Sequence, residues 1–176
     1  MKKALPNVIV LTGICLLTAL LLAVVNSFTL PVIKAAEDRA TQAALLEVYE
    51  DGGKFTKLDL SNASFDNLGL QTTVEEVYSS SNGGYAIKML SAGYSTGLQI
   101  LVGIDQSGKV TGAKCLASGE TLGYEKTYGD NLKGADVSSI DDIATVSGAT
   151  RTTNGYKKAV RDALKLASAL DEKTGK

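Results

Sequence analysis

Gly97-Leu98-Gln99-Ile100-Leu101-Val102-Gly103-Ile104-Asp105, followed by Gln106-Ser107-Gly108 and then Lys109-Val110-Thr111-Gly112-Ala113-Lys114-Cys115-Leu116-Ala117, is the stretch on which the fold turns. Leu98, Ile100, Leu101, Val102 and Ile104 crowd a run of strand length. The three-residue polar turn ends on glycine, so the next run, Lys109 to Ala117, returns beside the first. Upstream the pattern repeats. Thr72 to Tyr78 and Tyr85 to Leu90 flank Ser79-Ser80-Ser81-Asn82-Gly83-Gly84, a strong turn. Four strands joined by short turns predict an antiparallel sheet.

Beyond the sheet, Ser118 to Asp130 reads as loop, and Asn131 to Asp142 carries no single pattern. Thr153 to Leu170 then reads as an amphipathic helix. Tyr156, Ala159, Val160, Ala163, Leu164, Ala167 and Leu170 make its apolar face, and Lys157, Lys158, Arg161, Asp162 and Lys165 its polar side. Sheet plus closing helix make the expected class α+β. Asp51 to Leu70 is polar and irregular, with Gly69 as a breaker.

The N-terminal part is of another kind. After Lys2 and Lys3 no charge appears until Lys34, and Val8 to Phe28 is apolar but for Thr12, Gly13, Thr18, Asn26 and Ser27. Crossing a bilayer takes about 20 such residues, so a transmembrane helix is expected here. A cleaved signal peptide is the competing reading, but the run exceeds the roughly 7–15 residues of a signal core. Lys34-Ala35-Ala36 is also a poor cleavage site. Lys2 and Lys3 favour a cytoplasmic N-terminus, with the rest of the chain outside. Pro31 is expected to end or kink the membrane helix. Ala35 to Tyr49 then resumes as a stalk helix, with Ala40, Ala44, Leu45 and Val48 near one face, until Gly52-Gly53 stops it. The expected divisions are a leader and membrane helix at 1–33, a stalk at 34–50 and an extracytoplasmic domain at 51–176.

Composition narrows the chemistry. The net charge of −1 leaves no electrostatic footprint for nucleic acid. The 176 residues include no histidine, which removes Ser-His-Asp and Cys-His catalysis and His-ligated zinc. Cys15 and Cys115 are the two cysteines, too few for an iron–sulfur pattern and placed in segments that should not meet. No catalytic residue and no metal ligand is expected, and redox chemistry would need a bound organic cofactor.

Ser147-Gly148-Ala149-Thr150 stands just before the closing helix. A helix start offers unpaired N–H groups and a positive dipole end, both of which favour a phosphate. Taken alone, the motif is better explained as a small-residue turn whose Thr152 or Thr153 caps the helix. Its context adds weight. A membrane span, a stalk, the strands 98–105 and 109–113, Glu120-Thr121-Leu122-Gly123, and then Ser147 to Thr150 before a closing helix follow in order. This arrangement resembles the FMN-binding domain family, in particular the RnfG proteins of Rnf electron-transport complexes. It is also similar to the flavin-bearing NqrC proteins of the sodium-pumping NADH:quinone reductase.

The resemblance implies one FMN joined through its phosphate to Thr150. Ser147, Gly148 and Ala149 would shape the phosphate turn, with Glu120, Thr121, Leu122 and Gly123 beside the isoalloxazine. Leu122 stands where the family loop usually has proline, Glu125 where another glycine is common, and Ala144 where an aspartate usually precedes the motif. Lys88, Tyr94 and Tyr124 are possible flavin contacts, though surface side chains and core rings explain them more simply. The implied partners are the other membrane subunits of an Rnf-type complex and a flavin transferase for maturation. The implied function is that of an electron carrier in ion-translocating ferredoxin:NAD oxidoreduction. A stand-alone tethered FMN domain serving an extracellular reductase, and an anchored scaffold with a decayed site, remain as alternatives.

Overall fold

A computed structural model describes residues 5–60 and 65–174 of the chain; Lys2 and Lys3 lie outside the described residues. By its internal contacts the chain divides after Ala40. The first unit holds most of helix α1 (Leu5–Val48), which is long and apolar enough to cross a membrane by length and composition. Three of its hydroxyls bond back to the helix: Thr18 donates to the Ile14 carbonyl at 3.0 Å, Ser27 to Val24 at 2.7 Å and Thr29 to Val25 at 3.0 Å. Pro31 lies inside α1 rather than ending it. The proline removes a single backbone donor, whereas ending the helix would strand several N–H and C=O groups in an apolar stretch.

The second unit begins at Thr41. Five antiparallel strands follow in sequence order: β1 (Phe55–Lys57), β2 (Thr73–Ser80), β3 (Tyr85–Ala92), β4 (Thr96–Ile104) and β5 (Val110–Ala117). The four expected strands are present. β1 is an addition, three residues paired with the end of β2 from Phe55 opposite Ser80 to Lys57 opposite Tyr78. It is too short to show an alternation and forms by borrowing the β2 edge.

Period-two alternation sorts the side chains. Leu98, Ile100, Val102 and Ile104 of β4 join Ile87 and Met89 of β3 and Val77 of β2 in one core. Helix α2 (Thr150–Thr174) lays Tyr156, Ala159, Val160, Ala163, Leu164 and Ala167 on them. Leu101, of opposite parity, packs with Tyr78 and Ala86 against Ala44, Leu45, Val48 and Tyr49 at the end of α1. Gly103 and Gly112 face each other across β4 and β5 there. Their missing side chains admit the α1 terminus: a Cβ on either would meet the Val48 carbonyl oxygen, at 2.5 and 2.8 Å. That carbonyl accepts from the Thr111 hydroxyl at 2.6 Å, which pairs one of the acceptors left open at a helix end.

Between β5 and α2 the chain makes two short 3-10 turns, Tyr124–Lys126 and Tyr128–Leu132. The long return that follows is held onto α2. The buried Lys157 ammonium donates to the carbonyls of Asp141 and Ile143 at 2.8 and 2.7 Å, Arg161 pairs with the Asp141 carboxylate, and the Tyr128 hydroxyl donates to the Ala144 carbonyl at 2.9 Å. The approach to Ser147 is thus fixed from below by the helix it leads into.

Candidate functional site

Gly148 has φ +83°, a left-handed turn that glycine adopts without a Cβ penalty, and nothing lies within 4 Å of where its side chain would be. The turn therefore presents an open flank. The next carbonyl, of Ala149, accepts the first helical bond, from the Thr153 N–H at 3.0 Å, and also the Thr153 hydroxyl at 3.1 Å. Helix α2 consequently starts at Thr150, three residues earlier than periodicity predicts. The N–H groups of Thr150, Arg151 and Thr152 find no acceptor among the described residues. No acidic side chain occupies the first turn. This is a helix start with donors and dipole directed outward.

Two other segments converge on it. The β3–β4 turn comes close because glycines permit it. A Cβ on Gly155 would lie 3.0 Å from the Ala92 carbonyl carbon and 3.1 Å from Gly93 Cα. The Gly155 carbonyl accepts from the Ser91 hydroxyl at 2.8 Å. Glu120 joins all three segments. One carboxylate oxygen accepts from the Ser95 N–H at 3.0 Å, and the other accepts from the Thr152 hydroxyl.

The result is a cavity of about 360 Å³, lined by Glu120, Thr121 and Leu122 on one side and Gly148, Ala149, Thr150, Arg151 and Thr152 on the other, with Tyr94 at its edge. Six of the eight residues expected at the site line it. Ser147 is exposed on the turn just before, and Gly123, at φ +76°, leads into the following 3-10 turn. Tyr94, discounted from sequence, does line the cavity. Lys88 does not; it pairs with Glu75 at 3.3 Å on the sheet. Tyr124 is also absent from the lining. Arg151 escaped the sequence reading, although its adjacency to Thr150 was a usable signal, and Thr152, read there only as a helix cap, lines the cavity as well. A depression of about 470 Å³ at Lys57, Leu58, Glu75 and Glu76 is larger but contains no expected site residue.

Beneath the loop lies a buried polar group of side chains. Glu125 and Tyr156 each keep a buried oxygen without a hydrogen-bond partner among the described residues. Burial raises the Tyr156 hydroxyl far above its usual range, with Cys115, Asp130 and Glu125 adding to the effect. Burial likewise raises the Cys115 thiol, against a hydrogen bond from Ser118.

Removing the tie made by Glu120 has a calculable cost. Glu120→Ala strips the buried Thr152 hydroxyl and the Ser95 N–H of a charged acceptor, and a loss of about 2 kcal/mol in unfolding free energy is expected. Denaturant melts check this: Glu120→Ala at wild-type stability would show that the three segments are held by something else.

The comparisons with known proteins bear on this region. Residues 93–165 match the profile of the FMN-binding domain, and residues 1–48 match that of the RnfG N-terminal region. Over residues 93–165 the chain is thus similar to the FMN-binding domain family. Every residue lining the cavity falls inside the matched FMN-binding domain. The G component of the ion-translocating oxidoreductase complex of Shewanella piezotolerans is 27% identical over 185 residues, spanning 91% of this chain and 87% of that protein.

The cavity of this FMN-binding domain suits such a group. Its volume falls within the ~300–1,000 Å³ of small-molecule sites. Apolar walls at Leu122 and Ala149 and a ring at Tyr94 suit a flat aromatic system, and the free N–H groups at the start of α2 suit a phosphate.

Proposed function

We propose that the chain is a membrane-anchored electron carrier, bearing one FMN covalently on Thr150 and acting as the RnfG component of an Rnf-type ion-translocating ferredoxin:NAD oxidoreductase. The observation that carries this reading is the contrast among the three threonines. Thr152 and Thr153 are 6% and 0% exposed and spend their hydroxyls on Glu120 and the Ala149 carbonyl. Thr150 is exposed and lines the cavity. Its hydroxyl is the one of the three that an external enzyme can reach.

Thr150 Oγ1 would bond to phosphorus, giving its proton to a base of a flavin transferase while a phosphoanhydride of the donor nucleotide breaks. The chain has no histidine, and the Glu120 carboxylate in the cavity is engaged by Ser95 and Thr152, so in this reading the transferase supplies the base. The start of α2 would hold the phosphate through the N–H groups of Thr150, Arg151 and Thr152. Leu122, Ala149 and Tyr94 would cover the ring from water, and Glu120 would keep their segments together. When bound, the flavin supplies one- and two-electron transfer. That the Shewanella piezotolerans relative is one component of an ion-translocating oxidoreductase complex supports the assignment to a complex.

In this reading residues 1–33 are cytoplasmic leader and membrane helix, 34–50 the stalk, and 51–176 an extracytoplasmic domain. The other subunits of the complex supply and remove its electrons. Deleting the gene is expected to abolish ferredoxin-linked NAD reduction in membranes, with recovery on re-expression of the wild-type chain. Undiminished activity in the deleted strain sinks the assignment to the complex.

A further inference from the structure

Arg151 is the cationic side chain of the cavity, and Glu120 its acid. The two do not neutralise each other. Glu120 directs its oxygens to Ser95 and Thr152, and Arg151 has no carboxylate within ion-pair distance among the described residues. Instead the Arg151 guanidinium lies 6.0 Å from the centre of the Tyr94 ring. That contact ties a mobile charge to the cavity edge, since a cation over an aromatic face is attracted by the ring quadrupole. An unpaired guanidinium held beside an aromatic-lined cavity is a ready partner for a ligand that gains negative charge.

We propose that Arg151 sets the electron affinity of the flavin in this chain, its guanidinium resting on Tyr94 as the cation that favours the ring once electrons are added. The inference rests on the flavin reading above. An oxidised isoalloxazine is neutral, and two electrons with one proton leave it with a single negative charge. Arg151 lowers the free energy of that charged form and leaves the neutral form almost untouched. Glu120 acts in the opposite sense. A ring lying between them is favoured with its anionic edge toward Arg151.

Sulfite tests this without a redox partner. Its sulfur lone pair forms a bond to the ring nitrogen N5 and places one negative charge on the ring; no bond to the protein breaks and no oxidant is needed. Full-length wild type, Arg151→Lys, Arg151→Leu and Arg151→Glu would be co-expressed with a flavin transferase and checked for loading by fluorescence of the denatured band and by intact mass. Sulfite would then be titrated against flavin absorbance, and each protein reduced stepwise with dithionite against indicator dyes. Because Arg151 is exposed, melting temperatures should agree. The sulfite dissociation constant is expected to rise about tenfold in Arg151→Leu, the worth of a solvent-exposed unit charge ~6 Å away at an effective dielectric of about 40, between the near-surface and bulk-water values. It should rise further in Arg151→Glu and stay near wild type in Arg151→Lys, with midpoint potentials falling in the same order. Equal sulfite affinities and potentials across loaded proteins overturn the proposal. So does a dark Arg151→Leu band beside a fluorescent wild type, which would assign Arg151 to attachment instead. A dark wild-type band is a different failure, since it removes the flavin reading itself.

Discussion

Thr150→Ala is expected to remove all fluorescence from the denatured band under ultraviolet light and all flavin mass from the intact protein, while the domain melts where the wild type does. The effect on flavin is complete because the link is a single covalent bond to one oxygen. The effect on stability is small for reasons visible in the structure. The Thr150 side chain is exposed and, among the described residues, its carbonyl rather than its hydroxyl takes part in a hydrogen bond, from Thr153 at 3.3 Å. Alanine in place of an exposed helical threonine shifts helix stability by no more than about 0.7 kcal/mol. Thr150→Ser keeps the oxygen and should keep the fluorescence. Thr152→Val is the mirror image: it should lose stability, because Glu120 loses a donor, while the flavin it carries still maps to Thr150. Fluorescence that persists in Thr150→Ala, with the adduct mapped to Thr152 or Thr153, would overturn the assignment.

Gly155→Ala should reverse the sign usual for such a change. In an exposed helix interior it gains about 1 kcal/mol from propensity. Here the new methyl would stand 3.0 Å from the Ala92 carbonyl carbon and 3.1 Å from Gly93 Cα, with the Ala92 oxygen nearer still. These are backbone atoms, so no rotamer relieves the contact. Overpacking of this kind costs about 1–3 kcal/mol after partial relaxation. Set against the propensity gain, a net loss of about 1 kcal/mol and a fall of roughly 3–5 °C in melting temperature are expected. The site should suffer with the fold. Moving α2 off the β3–β4 turn pulls Thr152 from Glu120, and Glu120 from Ser95. Flavin loading should therefore drop in parallel with stability. Lys158→Ala, exposed on the same helix, is the control that should change neither. An unaltered melt for Gly155→Ala would mean that α2 does not rest on the 92–93 turn.

Local pattern carried much of this molecule. The charge-free stretch between Lys3 and Lys34 specifies a membrane-spanning length because burial in lipid depends on composition alone. The alternation of Leu98, Ile100, Val102 and Ile104 selects one sheet face, and the spacing of Tyr156, Val160, Ala163 and Ala167 selects the helix face that meets it. The turns at 79–84 and 106–108 then leave the strands little choice but to pair with their neighbours. Ser147 to Thr150 was legible as a helix start for the same local reason.

Other features have no local signal. β1 is a strand only because the β2 edge is there to pair with. Gly103 and Gly112 look like weak points in two strands until the Val48 carbonyl is placed on them. Glu120 and Thr152 are 32 residues apart, and Glu120 and Ser95 are 25 apart, so nothing in either neighbourhood announces their bonds. Which of three nearby threonines keeps a free hydroxyl was likewise decided by packing, because exposure depends on what the rest of the chain lays against each side chain. By itself the sequence determined the four long strands, the closing helix and the apolar stretch of membrane-spanning length, since periodicity and composition report burial along a segment. The cavity, the free donors at its helix start and the cation at its edge were decided by the tertiary structure, since they arise where sheet register and glycine contacts bring distant segments together.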